Sequence, residues 1–290
     1  TSDGTHGGGS EYTTGVTHNS STQVTIVVAA SAPTLYYYCG SHSGMGGQVN
    51  TNSTLGSSNF DGSIQATIKA NATAGFSIVS YVGNGSNSQT VGHALGVTPD
   101  VVILKDRDSN SVSGRWTTIH SYDTSKNLEL NSNSAAFSHQ GYGSITALSS
   151  SAFTLYGSTN SNTVNESGDK YIAYVFSEVA GYSKFGKYTG NGSTDGTFVF
   201  LGFRPAWIMV KSTGTEGWHI TDIKRDSFNA AKIRLQAENS NADDTTVNPT
   251  MDILSNGFKI RNSWGGQNNN GTTFIYLAFA ESPFKNARAR

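Results

Sequence analysis

The feature that most constrains the fold of this chain is an internal repeat of about 105 residues, present in two copies. The matching pairs occur in the same order in both copies: "GFSIVSYVGNGS" (75–86) with "GYSKFGKYTGNGS" (181–193), "VTPDVVILK" (97–105) with "FRPAWIMVK" (203–211), "RW" (115–116) with "GW" (217–218), "SAFTL" (151–155) with "NGFKI" (256–260), and "YIAYVFSE" (171–178) with "FIYLAFAE" (274–281). This period is too long for one unit of a solenoid, so each copy is expected to be a complete domain.

The apolar segments predict an all-β protein. They are short, alternate between apolar and polar residues, and are bounded by Gly, Asn, Ser or Pro, which is typical of half-buried strands between turns. No segment has the pattern of a long amphipathic helix. Several strands within about 105 residues favour a β-sandwich, here of the jelly-roll-like kind. We therefore predict tandem β-sandwiches at 71–180 and 181–290, preceded by a linker and first strand at 53–70 and by part of a smaller β domain at 1–52.

The composition excludes several classes of partner. Charged residues make up 13% of the chain, against a usual value of about 25%, and the net charge is −1. No basic stripe is present that could neutralise a row of phosphates, so we expect neither nucleic acid nor an anionic membrane as a partner. The single cysteine precludes an intrachain disulfide, and no apolar run reaches the roughly 20 residues that a membrane helix needs. This balance is typical of an extracellular or virion-surface β protein.

One stretch, "LYYYCGSHSGMGG" (35–47), carries residues suited to metal binding. Cys39, His42 and Met45 follow an aromatic strand, and the intervening glycines allow the loop to curl so that the three side chains converge. A thiolate, imidazoles and a long axial thioether are the ligands of blue-copper sites. The order and spacing resemble the C-terminal ligand loop of cupredoxins. This resemblance implies a cupredoxin-like fold for residues 1–52 and copper in the full-length protein.

The histidine that cupredoxins carry on an earlier strand has no clear counterpart in this sequence. His6 and His18 are available, but His6 lies in a glycine loop and His18 precedes a turn. We expect the missing strands and ligand to lie before Thr1, with His6 the candidate within the chain. The alternative is a metal-free turn of cupredoxin type in which Cys39 is a buried thiol.

No catalytic constellation is evident. "HGGG" (6–9) is similar to an oxyanion loop, but the Gly-x-Ser-x-Gly elbow that this interpretation needs is missing. "DRDSN" (106–110) begins like a calcium loop but lacks its later glycine and glutamate, which favours a hairpin turn. A glycosidase would need two carboxylates, and the candidates lie mostly in turns or at strand ends: Asp222, Asp226, Asp243, Asp244 and Glu281.

Three tryptophans could offer stacking faces to a glycan or another receptor: Trp116, Trp218 and Trp264. Trp116 and Trp218 occupy equivalent repeat positions, which favours a packing role for those two. Trp207 lies inside an apolar strand and is expected in the core.

The repeats also resemble a known family. "AGFSIVSYVGNGS", "GYSKFGKYTGNGSTDGTFVFLGFRPAWIMVK", "MDILSNGFKIRNS" and "FIYLAFAESPFKNARAR" are similar to C-terminal repeat domains of tail-fibre and other structural proteins of marine bacteriophages. "TLYYYCGSHSGMGG" is similar to the cupredoxin-like module found in such proteins. The resemblance implies a non-enzymatic protein of the virion surface, homo-oligomeric with a trimer as the expected form. Its partners would be other virion proteins and a host cell-surface glycan or protein. The alternatives are a copper-binding module on a β-sandwich scaffold and a glycan depolymerase.

Overall fold

The structure is a computed structural model that describes residues 10–28, 32, 34–42, 44–49, 56–108, 115–138, 143–157, 164–245 and 250–282. The chain divides into two compact units, Thr1–Ser58 and Asn59–Arg290. Of the helices that the described residues form, none has the length and hydrophobicity that crossing a bilayer requires.

The first unit contains two antiparallel hairpins. The first pairs β1 (Val16–Ser20) with β2 (Gln23–Ile26), and its side chains are largely exposed. The second pairs β3 (Leu35–Tyr38) with β4 (Gly46–Val49), so that the predicted aromatic strand is observed directly before Cys39. The cupredoxin-like assignment of this region stays a prediction.

In the first repeat the strands form two antiparallel sheets. The strands are β5 (Ser57–Asn59), β6 (Ala66–Asn71), β7 (Phe76–Val82), β8 (Gln89–Gly92), β9 (Val101–Asp106), β10 (Trp116–His120), β11 (Lys126–Glu129), β12 (Phe137–Ser138), β13 (Ser144–Leu148), β14 (Ala152–Tyr156) and β15 (Lys170–Phe176). The larger sheet has eight strands in the order β12-β11-β10-β9-β15-β7-β6-β5, and the smaller has three in the order β13-β14-β8. A short 3-10 helix, Ala72–Ala74, joins β6 to β7.

The second repeat has the same plan with fewer strands. The elements are β16 (Ser183–Thr189), β17 (Phe198–Phe200), β18 (Pro205–Ser212), β19 (Trp218–Asp222), β20 (Leu235–Gln236), β21 (Met251–Leu254), β22 (Gly257–Ile260), the short helix α1 (Gly265–Asn268) and β23 (Thr273–Ala280). The larger sheet has the order β16-β23-β18-β19-β20, and the smaller sheet has the order β17-β22-β21. The described residues therefore confirm the predicted all-β class, while the jelly-roll-like assignment stays a prediction.

Each repeat encloses its own apolar core between its two sheets. In the first repeat, Val102 and Leu104 of the larger sheet belong to the same buried cluster as Phe153 and Leu155 of the smaller sheet. In the second repeat, Ile208 and Val210 share a cluster with Phe258 and Ile260 in the same way. The strand pattern places alternate side chains on opposite faces of a sheet, so these residues form the inner faces of two sandwiches.

A third core joins the two repeats. Val101, Ile103 and Leu128 come from the larger sheet of the first repeat, and Phe185, Met209, Trp218, Ile275 and Leu277 come from that of the second. Because this core is shared, residues 59–290 form one compact unit. The repeats thus correspond to separate sets of sheets, and their independence as folding domains with boundaries at 70/71 and 180/181 stays a prediction.

Trp218 is expected to be the side chain on which the shared core depends most. It is 1% exposed, and its Nε1 donates a hydrogen bond of 2.8 Å to the carbonyl oxygen of Glu129 in the other repeat. Trp218→Ala should lower the free energy of unfolding by about 3–5 kcal/mol, because it leaves a large cavity and an unpaired carbonyl. Urea denaturation of the full chain measures this.

The matched control is Trp116→Ala, at the equivalent position of the first repeat. Trp116 is only half-buried and packs against the edge of the shared core, so its loss should cost roughly 1–2 kcal/mol. Equal losses for the two variants would contradict the central place given to Trp218.

Candidate functional site

The loop that carries Cys39, His42 and Met45 closes the hairpin of β3 and β4. The Cys39 N–H donates a 2.7 Å hydrogen bond to the Met45 carbonyl oxygen, which draws the two ends of the loop together. Gly46 follows at a position where a Cβ atom would lie 2.3 Å from the carbonyl oxygen of Tyr37, so only glycine fits there without a shift. The sequence therefore folds this segment into a tight turn with Cys39 and Met45 at its base.

Two of the predicted ligands are brought together by this turn. Cys39 Sγ lies 3.3 Å from His42 Nδ1, and the Cys39 side chain is partly buried. The Met45 side chain is 59% exposed. His6 lies outside the described residues, and His18 places its Nε2 3.2 Å from Glu11 Oε1 on an exposed hairpin.

The donors on this loop suit a soft metal but do not complete a blue-copper set. Such a site needs a second imidazole beside the thiolate and the first imidazole. Among the described residues, no group of three or more His, Cys, Asp or Glu side chains could hold a metal ion. The loop therefore supplies a Cys–His pair, and copper binding stays a prediction for the full-length protein.

Trp116 and Trp218 have packing roles. Trp116 stacks on Tyr174 with ring centroids 6.3 Å apart, and Trp218 lies within the core shared by the repeats. The prediction of a receptor-binding face is therefore wrong for Trp218, because its indole is buried and presents no face to a ligand. The equivalence of the two residues within the repeat was the sequence signal that pointed to packing.

Trp264 stands in a different setting. It is half-buried directly before α1, and its indole is flanked by two side chains of the second repeat. The His219 ring lies against it with centroids 4.7 Å apart, and the Arg234 guanidinium carbon lies 3.9 Å above the indole centroid. Arg234 also forms an ion pair with Asp244, through Nε at 3.0 Å and Nη2 at 2.5 Å. Trp264 is thus the centre of a polar cluster rather than an open stacking platform.

The carboxylates considered for glycoside cleavage are held by neighbouring donors. Asp222 and Asp243 both contact Arg225, at 2.6 and 3.1 Å, and Glu281 contacts Arg204 at 3.5 Å. Asp226 accepts a 2.6 Å hydrogen bond from the Lys232 N–H. These interactions hold the carboxylates in loops and at strand ends, where they fix backbone geometry.

The polar cluster around Trp264 contains buried side-chain atoms that have no hydrogen-bond partner among the described residues. They are His219 Nδ1, His219 Nε2, Thr221 Oγ1, Arg234 Nη1 and Gln267 Nε2. The pKa of His219 is lowered to about 3, first by burial and then by the positive charges of Arg234 and Lys211, while Asp244 acts in the opposite direction. His219 is therefore a neutral imidazole at physiological pH.

These residues were not singled out by the sequence analysis. They come from three separate segments of the chain, with His219 and Thr221 on one strand, and none belongs to a recognisable motif. The available signal was the repeat itself. When the two copies are aligned, these polar residues of the second copy match apolar or smaller residues of the first.

The fold defines an all-β protein built on two sandwich repeats, and the cluster lies in the second of them. Residues 50–283 match the model of a family described as "Domain of unknown function (DUF7483)", so the chain belongs to that family. No curated protein and no solved structure matches the chain.

The buried histidines predict a pH dependence of stability. Burial lowers the pKa of both His219 and His120 to about 3, whereas an unfolded histidine titrates near pH 6.5. Below about pH 6.5 the unfolded chain binds protons that the folded chain does not. The free energy of unfolding should therefore fall by about 1.4 kcal/mol per pH unit for each of these histidines, until about pH 3.

Urea denaturation between about pH 6 and pH 4.5 measures this slope. His219→Thr, which places at this position the residue that the first repeat has in Thr117, should make the slope shallower by about 1.4 kcal/mol per pH unit. An unchanged slope in His219→Thr would show that His219 is not buried as a neutral ring.

Proposed function

We propose that this protein is a non-enzymatic structural component of a phage virion, a segment of a tail or capsid fibre that displays β-sandwich domains towards a host surface. It acts as a homo-oligomer, with a trimer as the expected form, and contacts other virion proteins and a host cell-surface glycan or protein. The observation that carries the proposal is the third core, which joins two sandwich repeats into one compact unit of 232 residues, counted from Asn59 to Arg290.

A rigid pair of sandwiches suits a protein whose task is to hold and present a surface. The shared core is built from large apolar side chains, so the two repeats resist separation. The candidate carboxylates are paired with arginines or backbone donors, which supports a structural role in preference to acid–base catalysis. Exposed aromatic side chains, Phe198 and Phe200 on β17 and Phe228 in a loop, offer contact area to a partner.

Antibodies raised against the purified full chain test the proposal. On phage particles from lysates of the source host, immunogold labelling should mark a projecting appendage, and pre-incubation of cells with the chain should slow phage adsorption. Antibodies from the same animals before immunisation are the control. Label found only in host cytosol, with none on particles, would refute a virion role.

A second candidate function, copper binding, is favoured by one observation, the 3.3 Å separation of Cys39 Sγ and His42 Nδ1. This distance allows both atoms to bind the same ion from one hairpin turn. Cys39 and His42 would be the first ligands, and Met45 would have to turn inward from its exposed position to become the third. Bound copper would give the protein a redox-active centre.

Full-length protein loaded with Cu(II) should show an intense thiolate charge-transfer absorption band in the visible region. Cys39→Ser should abolish this band, and Ser41→Ala, on the same loop, should leave it intact. A protein that stays colourless at saturating Cu(II) would exclude the blue-copper function.

A further inference from the structure

The cluster around Trp264 contains more hydrogen-bond donors than acceptors. Arg234 uses Nε and Nη2 on Asp244, and Gln267 uses its Oε1 to accept a 3.1 Å hydrogen bond from Asn262 Nδ2. Arg234 Nη1 and Gln267 Nε2 stay unpaired among the described residues, and each carries two hydrogens. Thr221 Oγ1 and one nitrogen of neutral His219 add further donors. Because buried donors almost always have a partner, this excess calls for a ligand that accepts hydrogen bonds.

The side chains converge because of the strands that carry them. His219 and Thr221 alternate along β19 with Trp218 and Ile220, which face the core shared by the repeats. His219 and Thr221 therefore point into the second sandwich. Leu235 of β20 lies opposite Ile220, and Arg234 directly precedes β20, one residue further along the direction of Thr221.

Helix α1 closes the cluster. The Gln267 N–H donates a 3.2 Å hydrogen bond to the Trp264 carbonyl oxygen, so Gln267 lies one turn beyond the indole that His219 and Arg234 flank. The cluster thus has β19, Arg234 and α1 as its walls.

The first repeat provides an internal reference for this region. Trp116 lies opposite Lys105 in the first repeat, and Trp218 lies opposite Lys211 at the equivalent place in the second. Counting along the two strands from these tryptophans matches Thr117 to His219 and Ile119 to Thr221. Asn127 lies opposite Ile119, and continuing the register of Ile220 with Leu235 by one residue matches Arg234 to Asn127. Three inner positions of β10 and β11 therefore correspond to three members of the cluster.

Gln267 also has a counterpart in the first repeat. The Tyr81 hydroxyl donates to the Val164 carbonyl oxygen, and the Tyr188 hydroxyl donates to the Gln267 carbonyl oxygen, so Val164 matches Gln267. In the first repeat, Ile119 and Val164 belong to the apolar core, and both side-chain ends of Asn127 are bonded to the backbone of Ile145. The same backbone plan therefore accommodates apolar residues at positions where the second repeat has polar ones.

The charges around the cluster favour an anion. Arg234 and Lys211 are cations near His219, where Asp244 opposes them, and Glu238 and Glu216 act on Lys211. The two positive charges add to burial in lowering the pKa of His219. Ile208 and Val210, directly beside Thr221 and His219 on the neighbouring strand, lower the local dielectric and strengthen this field.

We infer that the second sandwich contains a buried binding site for a small monovalent anion, a halide or a small carboxylate, held by Arg234 Nη1, Gln267 Nε2 and Thr221 Oγ1 beside the His219 ring. At the equivalent positions the first repeat has Ile119 and Val164 in its apolar core and an Asn127 that is bonded to the backbone of Ile145. The ligand would neutralise the unpaired donors in the interior of the sandwich and stabilise the fold in the manner of any ligand that binds only the native state.

The test uses the full chain and a variant copied from the first repeat. Thr221→Ile with Gln267→Val removes two of the donors and reproduces Ile119 and Val164. The melting temperatures of both proteins are measured in sodium bromide, in sodium formate and in sodium gluconate of equal ionic strength, because the gluconate anion is too large for such a site. Wild-type protein should gain several degrees over the variant, beyond their difference in gluconate, in at least one of the other two salts, because the affinity of the variant is reduced at least about tenfold.

General salt effects act alike on both proteins, so the difference between them reports the site. A gain in bromide but not formate identifies a halide site, and the reverse identifies a carboxylate site. An equal response of wild type and variant would overturn the inference.

Diffraction from wild-type crystals soaked in sodium bromide or in sodium formate keeps the inference testable if the variant does not fold. An anomalous bromide peak, or density for formate, within hydrogen-bond distance of Arg234 Nη1 and Gln267 Nε2 would support it. Ordered water alone at that position in both soaks would overturn it.

Discussion

The larger sheets of the two repeats share a core because their central strands carry apolar side chains on both faces. In β9, Val102 and Leu104 face the first sandwich, while Val101 and Ile103 face the second repeat. In β23, Phe274 and Tyr276 face inward, and Ile275 and Leu277 face outward. A sheet that is covered on both sides needs continuous apolar strands, and a sheet with one wet face does not. The compact unit of residues 59–290 depends on these few strands.

A second interaction occurs at the same place in both repeats. An asparagine near the end of each repeat forms hydrogen bonds with a turn near its beginning. Asn165 accepts a hydrogen bond from the Asn84 N–H and donates to the Asn84 side chain, and Asn268 does the same with Asn191. The glycines of these turns, Gly85 and Gly192, have φ values of 72° and 67°, in the left-handed region. The repeated "GNGS" is thus explained by a turn that these hydrogen bonds stabilise. Glycosylation is not needed to explain why its Asn-Gly-Ser triplets occur in both copies.

The sequence predicted the parts of the fold that depend on local pattern. Alternation along "GFSIVSYV" predicted β7, and the repeated landmarks predicted that both copies have matching sheets. The packing of one repeat on the other was missed, although "DVVILK" and "FIYLAF" are apolar at nearly every position and not at every second one. Continuous apolar segments of this kind indicate strands that are buried on both faces of the sheet. Which other sheet covers the outer face depends on contacts between strands far apart in the chain, which no local pattern encodes.

The candidate sites were predictable to different degrees for the same reason. Cys39 and His42 are three residues apart on one turn, so their proximity followed from spacing and glycines alone. The cluster around Trp264 draws on β19, on Arg234 just before β20 and on α1, which the fold brings together only when both sheets of the second sandwich have formed. Its members looked ordinary in the sequence because a buried histidine or glutamine has no signature until its neighbours are known.

The comparison of the two repeats separates what the fold needs from what one copy has added. The first copy fills the equivalent positions with Ile119 and Val164 and with an asparagine whose hydrogen bonds are complete. At these positions of the first copy the Thr117 hydroxyl is the one buried side-chain group without a partner among the described residues, and no charge is buried. The second copy removes a guanidinium from water, a cost that an ion pair such as Arg234–Asp244 need not repay in full. Hydrophobic residues of similar volume often stabilise such a position better than ions do. The polar set of the second copy therefore does not follow from the requirements of the sandwich, which the first copy meets without it.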